Sequence, residues 1–265
     1  MLLYDPEHIT VTNYRKRRIL KAIAESHDGL DNLFDRELVF LNSILTSPLH
    51  RQSKSPTLWY HRLWLLNLLI PARLRRATTE PFLVFVGTEL DAVLKAGERH
   101  PKNYYSWQYA RRLFSRVEEL CRDEIEHLRE PSYDEFLVSC AVLVKSWCCK
   151  HPSDISGWSF LLFVLPRLNP VSIRRQVVQQ VLEYAMNLKV EQESLWVFLS
   201  LALAGSLPKE EREPVMQLLH TYQNDQASTD GDDTHKNRII KTVAWITSYG
   251  HDLSIARPSS AFNAD

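Results

Sequence analysis

Pro101-Lys102-Asn103-Tyr104-Tyr105-Ser106-Trp107-Gln108-Tyr109-Ala110-Arg111-Arg112 sets a proline, an early aromatic residue and an arginine one turn later in a single run. A proline cannot continue a preceding helix, so Pro101 closes one segment and the residues after it open another. The same order recurs along the chain. Tyr14 is followed by Arg17 and Arg18, and Trp59 by His61 and Arg62, whereas Trp158 and Trp196 return without arginine. The intervals are 45 residues from Tyr14 to Trp59, 48 to Trp107, 51 to Trp158 and 38 to Trp196. Each holds two helices and a turn. Pro48, Pro101 and Pro152 fall just ahead of Trp59, Trp107 and Trp158, at the expected ends of second helices.

Between these markers the apolar residues keep helical spacing. In Glu37 to Leu45, the residues Leu38, Leu41 and Leu45 fall at three- and four-residue steps, with Phe40 and Ile44 widening the stripe. Seven glycines in 265 residues fit an all-α chain. Phe82 to Val86 (FLVFV) reads locally as a strand, but good helix formers follow it and a lone strand has no ladder partner, so helix is expected. The fold class is therefore an α-α superhelix, or solenoid, of about five to six helical hairpins, each burying its apolar face against the next. Residues 1–253 are expected to form one helical-repeat domain. The acidic stretch 224–234 reads as a mobile loop and 254–265 as a disordered tail.

Composition narrows the function. Thirty-two basic residues cancel thirty-two acidic ones, which removes the broad attraction to a phosphate backbone, so no nucleic acid is expected. The basic run Arg15 to Arg18 reads as a solvated helix face. The longest apolar stretch, Leu137 to Val144, is too short to span a membrane, and Met1 to Thr10 has no secretory pattern. Cytoplasmic location is expected, with Cys121, Cys140, Cys148 and Cys149 as reduced thiols. Their spacing offers no zinc site, and no metal is expected in this chain. No nucleophile elbow, phosphate-binding glycine loop or H-E-x-x-H sequence is present.

Pro101 to Trp107 resembles the P-x-N-Y-x-x-W signature of protein prenyltransferase α subunits, and Trp59-Tyr60-His61-Arg62 resembles the W-x-H-R core of another repeat of that family. Thr12 to Leu20 looks like a worn copy, and His151 to Trp158 and Glu193 to Trp196 fit later repeats more loosely. The resemblance covers roughly residues 9 to 203. It is closer to the divergent prenyltransferase α-subunit repeat-containing proteins, of geranylgeranyltransferase type, than to the α subunit of farnesyltransferase or of the main Rab enzyme.

The resemblance implies a crescent of hairpins around a prenyltransferase β subunit that carries the zinc ion and the isoprenoid pocket. It implies a heterodimer that transfers a geranylgeranyl or farnesyl group from an isoprenoid diphosphate to the cysteine of a protein substrate. Lys102 matches the family lysine that reaches the diphosphate, and Tyr104 a tyrosine lining the same region. These are the expected catalytic residues. Arg62, Asn103 and Arg111 are the expected diphosphate or partner-interface residues, and Tyr14, Trp59, Trp107, Trp158 and Trp196 the structural repeat aromatics. Two departures stand out: Ala110 occupies the W-x-H-R arginine position after Trp107, and Ser159-Phe160-Leu161 replaces the polar residues after Trp158. The alternative function is a non-enzymatic adaptor that binds a protein or peptide on a concave face.

Overall fold

The computed structural model describes residues 1–25, 29–76, 79–123, 132–225 and 234–249. Among them there is no strand. The helices are α1 Ile9–Ala24, α2 Leu30–Leu45, the short α3 His50–Ser53, α4 Pro56–Arg76, α5 Thr79–Arg99, α6 Tyr104–Asp123 and α7 Ser132–Lys150. They continue as α8 Ile155–Val164, α9 Val171–Asn187, α10 Glu193–Leu201, α11 Lys209–Asp225 and α12 Thr234–Tyr249. The acidic loop call lies largely, and the tail call wholly, outside the described residues. The helices group into two compact units, one from Met1 to Phe136 and one from Leu137 onward.

Both units are built alike. In the first, α1, α4 and α6 pack in sequence as one layer and α2 packs on α5 as the other; in the second, α8, α10 and α12 form one layer and α9 packs on α11. This is the α-α superhelical arrangement of neighbouring hairpins. FLVFV lies inside α5, and its exposure pattern excludes a strand: Phe82 and Val86 are buried while Val84, which a strand would place on their side, is 62% exposed.

Three first helices open with the same local device. Ser55, Asn103 and Asp154 precede α4, α6 and α8, and their side chains accept from Leu58 N (3.1 Å), Ser106 N (3.4 Å) and from Ser156 N and Gly157 N (3.0 and 3.1 Å). These acceptors meet N–H groups that have no partner within the helix. Four residues after the cap comes the buried tryptophan, and its indole N–H reaches back six residues. Trp59 donates to Ser53 O (2.8 Å), Trp158 to Pro152 O (3.0 Å) and Trp196 to Val190 O (2.7 Å). The ring therefore fills the space between repeats while its polar edge ties the helix to the preceding turn. Trp59 tilts against Tyr109 and Trp158 against Phe198, both two residues after the next repeat's tryptophan.

This register corrects the first repeat. Tyr14 is 57% exposed and does not pack between layers. The cap of α1 is His8, and four residues later comes Thr12, which is buried. The arginine equivalent to Arg62 is then Arg15 rather than Arg17.

That equivalence exposes a repeated buried clamp. Arg15 donates to both oxygens of Glu37 on α2 (2.7 and 2.6 Å), and Glu37 also meets His61 of the next repeat at 2.7 Å. One repeat on, Arg62 donates to both oxygens of Glu89 on α5 (2.7 and 2.9 Å), and Tyr109 of the following repeat donates to Glu89 as well. Burial by itself would weaken Arg62's hold on its proton, but Glu89 and Tyr109 outweigh it and keep the guanidinium charged. In the later repeats Phe160-Leu161 and Phe198-Leu199 hold the matching positions, all buried, and the clamp is replaced by apolar packing.

Two predictions arise here. Burial would raise the Glu37 pKa, yet the His61 and Arg15 hydrogen bonds prevail and hold it below the usual carboxylate value. Its stabilisation is present above the unfolded-state pKa of about 4.3 and is lost as pH falls through the lower folded value. Glu37→Gln is expected to lower stability at neutral pH and to flatten that part of the acid limb in denaturant titrations. At Gly157 an added Cβ meets the Trp147 ring at 2.7 Å and Cys148 Sγ at 3.1 Å. Gly157→Ala is expected to cost about 1–3 kcal/mol in thermal or urea unfolding, because the ring it strikes lies in a packed core.

Candidate functional site

The turn between α5 and α6 is tight, and it places Lys102 in the left-handed region at φ 60°. The lysine side chain is exposed, between a Pro101 carbonyl that accepts from Lys54 Nζ at 3.1 Å and the buried cap Asn103. Tyr104 begins α6 and is 57% exposed. Arg111 lies two turns further along the same helix face, close enough to feel the Tyr104 phenol. Burial pulls the Arg111 guanidinium below its ordinary value, and Tyr104 partly offsets this. Lys102 and Tyr104 therefore share the opening of α6, with Arg111 two turns along beside Tyr104.

Arg62 and Asn103 do not join them. Arg62 is 1% exposed, and its charge is matched inside the core by Glu89. Asn103 is fully buried: its Oδ1 caps α6 and its Nδ2 donates to Ser53 O at 3.1 Å, stitching adjacent repeats together. Both residues are bonded inside the core.

Beside Tyr104 the first unit holds a shallow cleft of about 70 Å³, lined by Trp59, Tyr60, Leu63, Tyr105, Gln108 and Arg112 among others. The Arg112 guanidinium stands 4.9 Å from the Tyr60 ring centre. Sequence reasoning gave no site role to Tyr60, Leu63, Gln108 or Arg112 of this lining. The signal was the helical register: positions three before, one after and five after each tryptophan form one face of a first helix. In the first unit that face presents Tyr60, Tyr104 and Arg112. In the second unit Ile155, Val197 and Leu201 occupy the same register and are 46%, 37% and 37% exposed.

Among the described residues no group of three or more His, Cys, Asp or Glu side chains is placed to hold a metal ion. Cys140 and Cys148 are buried free thiols, and burial raises the Cys149 thiol pKa to about 11, which leaves it protonated and a poor nucleophile at neutral pH. No helix among the described residues is long and apolar enough to cross a membrane.

Comparison with known proteins finds modest sequence similarity. The ECM9 middle domain family matches residues 58–185, from α4 into α9. The α subunit of geranylgeranyl transferase type-2 from Candida albicans is 24% identical over 171 residues, covering 63% of this chain and 42% of the relative. Human protein prenyltransferase alpha subunit repeat-containing protein 1 is 27% identical over 178 residues, covering 63% and 38%. Protein ECM9 of Saccharomyces cerevisiae is 26% identical over 168 residues, covering 62% and 37%. The chain is a divergent relative of prenyltransferase α subunits.

The matched part spans about two fifths of the length of these relatives. As a prenyltransferase α-subunit-like chain, it keeps within residues 58–185 the polar clamp at Arg62, the Lys102 turn and the apolar substitute at Phe160-Leu161. The polar-to-apolar change along the chain thus falls inside the matched region.

Proposed function

We propose that this chain is the α-type subunit of a heterodimeric protein prenyltransferase, acting with a β subunit to transfer a geranylgeranyl, or farnesyl, group to a protein cysteine thiol. The observation that carries the reading is the α5–α6 turn, which spends Asn103 on architecture and leaves Lys102 and Tyr104 outward at the start of α6. The exposed aromatic and apolar register on the first helices supplies a surface for the β subunit.

In the reaction, the cysteine sulfur attacks C1 of the isoprenoid, the C–O bond to the diphosphate breaks, and the thiol proton passes to solvent. Charge builds on the departing diphosphate. The Lys102 ammonium is the cation to meet it, with the Tyr104 hydroxyl as a hydrogen-bond donor and Arg111 as a second positive group. This chain offers no ligand set for zinc among its described residues. The metal, which would hold the sulfur as thiolate, is assigned to the β subunit, and no step of this chain runs through it. Cytoplasmic location goes with this assignment.

The turn permits a test that separates chemistry from folding. A non-glycine residue in the left-handed region costs about 1–2 kcal/mol, so Lys102→Gly is expected to stabilise the chain by about 1 kcal/mol while removing the cation. In a purified heterodimer, both Lys102→Ala and Lys102→Gly are expected to slow single-turnover prenyl transfer by roughly tenfold or more, the effect of losing one charge-stabilising contact. Unchanged turnover in both variants removes Lys102 from the mechanism. A stable chain that assembles with no β subunit and binds a peptide instead favours the adaptor.

A further inference from the structure

A second cleft lies away from the Lys102 turn, between α1 and α2, in the part of the chain that precedes the ECM9 match. It consists of two adjoining recesses of about 350 and 200 Å³ that share Arg18, Leu33 and Arg36. Ile19, Ala22 and Leu30 extend an apolar floor, and Arg15 and Glu37 stand at one end.

Among the described residues the charges there do not cancel. Glu37 is the one carboxylate lining either recess among the described residues, and it is engaged by Arg15 and His61. Arg18 and Arg36 are exposed, and neither meets an acidic side chain among the described residues. Asp31 and Asp35 line neither recess; the helical period turns them to the other side of α2. Two guanidiniums from facing helices therefore border one apolar-floored cleft with their charge unspent. A guanidinium matches phosphoryl oxygens in a planar, bidentate fork, and two of them match a dianion. A single carboxylate leaves one of them unmet. A nucleoside is a poor fit, because among the described residues no aromatic ring lines the cleft to stack a base and its floor is aliphatic.

We propose that this cleft binds a phosphomonoester carried on an aliphatic chain, with Arg18 and Arg36 on the phosphoryl group and Ile19, Ala22, Leu30 and Leu33 along the chain. The phosphomonoester has two sources, a soluble alkyl phosphate or the headgroup of phosphatidic acid at a membrane surface. The site is independent of prenyl transfer.

The test uses the full chain, with its partner if the two co-purify, and titrates octyl phosphate and inorganic phosphate by calorimetry. Octyl phosphate is expected to bind more tightly than inorganic phosphate, because only the former fills the aliphatic floor. Arg18→Gln or Arg36→Gln each removes a charged hydrogen-bonding group and is expected to weaken octyl phosphate by roughly tenfold, with the double variant showing no measurable binding. Arg17→Gln, on the same helix but outside the cleft, is expected to leave binding unchanged. Both arginines are exposed, so these variants leave the core intact; circular dichroism checks this.

Sedimentation with phosphatidylcholine vesicles with and without phosphatidic acid then separates the sources. Capture that depends on phosphatidic acid and on both arginines assigns the membrane headgroup, and its absence alongside octyl phosphate binding assigns the soluble ligand. Three results overturn the site: no octyl phosphate binding, equal affinity for the two phosphates, or the same loss in Arg17→Gln as in Arg36→Gln.

Discussion

Glu89→Ala is expected to destabilise the first unit by about 3–5 kcal/mol, the range for breaking a buried ion pair and leaving one charge behind. Arg62 is 1% exposed and has no route to water, so removal of Glu89 strands a guanidinium in the core. Tyr109 does not replace the lost carboxylate: burial, the largest cause holding its phenol well above the ordinary value, persists when Glu89 is gone and favours the neutral donor. The later repeats show what does replace it. Phe160-Leu161 and Phe198-Leu199 stand where Tyr109-Ala110 and His61-Arg62 stand earlier. The triple change Arg62→Leu, Glu89→Leu, Tyr109→Phe is therefore expected to recover most of the loss, since well-packed apolar groups equal a buried ion pair in stability. Urea denaturation of the single and triple variants measures both. A Glu89→Ala loss below about 1 kcal/mol, the size of a surface pair, contradicts the buried clamp.

Trp158→Ala is the counterpart in the second unit, with an expected loss of about 3–5 kcal/mol for truncating a fully buried aromatic. Trp158 is 1% exposed, sits 4.9 Å from Phe198 and bonds the Pro152 carbonyl. Its loss removes the spacer between two repeats and the tie to the preceding turn at once. Trp158→Phe keeps an aromatic filler and forfeits the indole N–H, so its loss is expected at about 1–3 kcal/mol. Thermal unfolding with hydrogen exchange on α8 and α10 separates the two variants. Equal losses in both would place the whole contribution in the hydrogen bond and none in the ring.

The fold was legible because its signals are local. A proline, a cap and a tryptophan within seven residues, as in Pro101 to Trp107, specify a turn and a helix start without any distant partner. The first repeat was misaligned for the same reason: Thr12 holds the buried position, and the nearest aromatic, Tyr14, lies two residues along and faces solvent. Arg62 was misread because its partner is remote. Glu89 lies 27 residues away on another helix, and no local pattern distinguishes an arginine kept for a ligand from one neutralised in the core. Asn103 is the same case, since its contact with Ser53 spans 50 residues. The cleft beside Tyr104 was hidden because it comes from one helix face read across two repeats rather than from a contiguous motif.

The division of labour that results is specific. Arginines that look available are architectural at Arg62 and paired at Arg15, while Lys102 and Tyr104 are held outward by a turn whose backbone is strained at the lysine itself. Such strain is retained where the surrounding structure fixes it, here by Pro101 before the lysine and the buried Asn103 after it.

Affinity purification of the tagged chain from its own cells, with quantitative mass spectrometry of what co-purifies, tests the central claim most directly. An α-type subunit predicts a prenyltransferase β subunit recovered in equal molar amount and prenyl transfer to a protein cysteine by the purified pair. Recovery of the chain without any β subunit, in stoichiometric complex with a different protein and with no transfer activity, contradicts it.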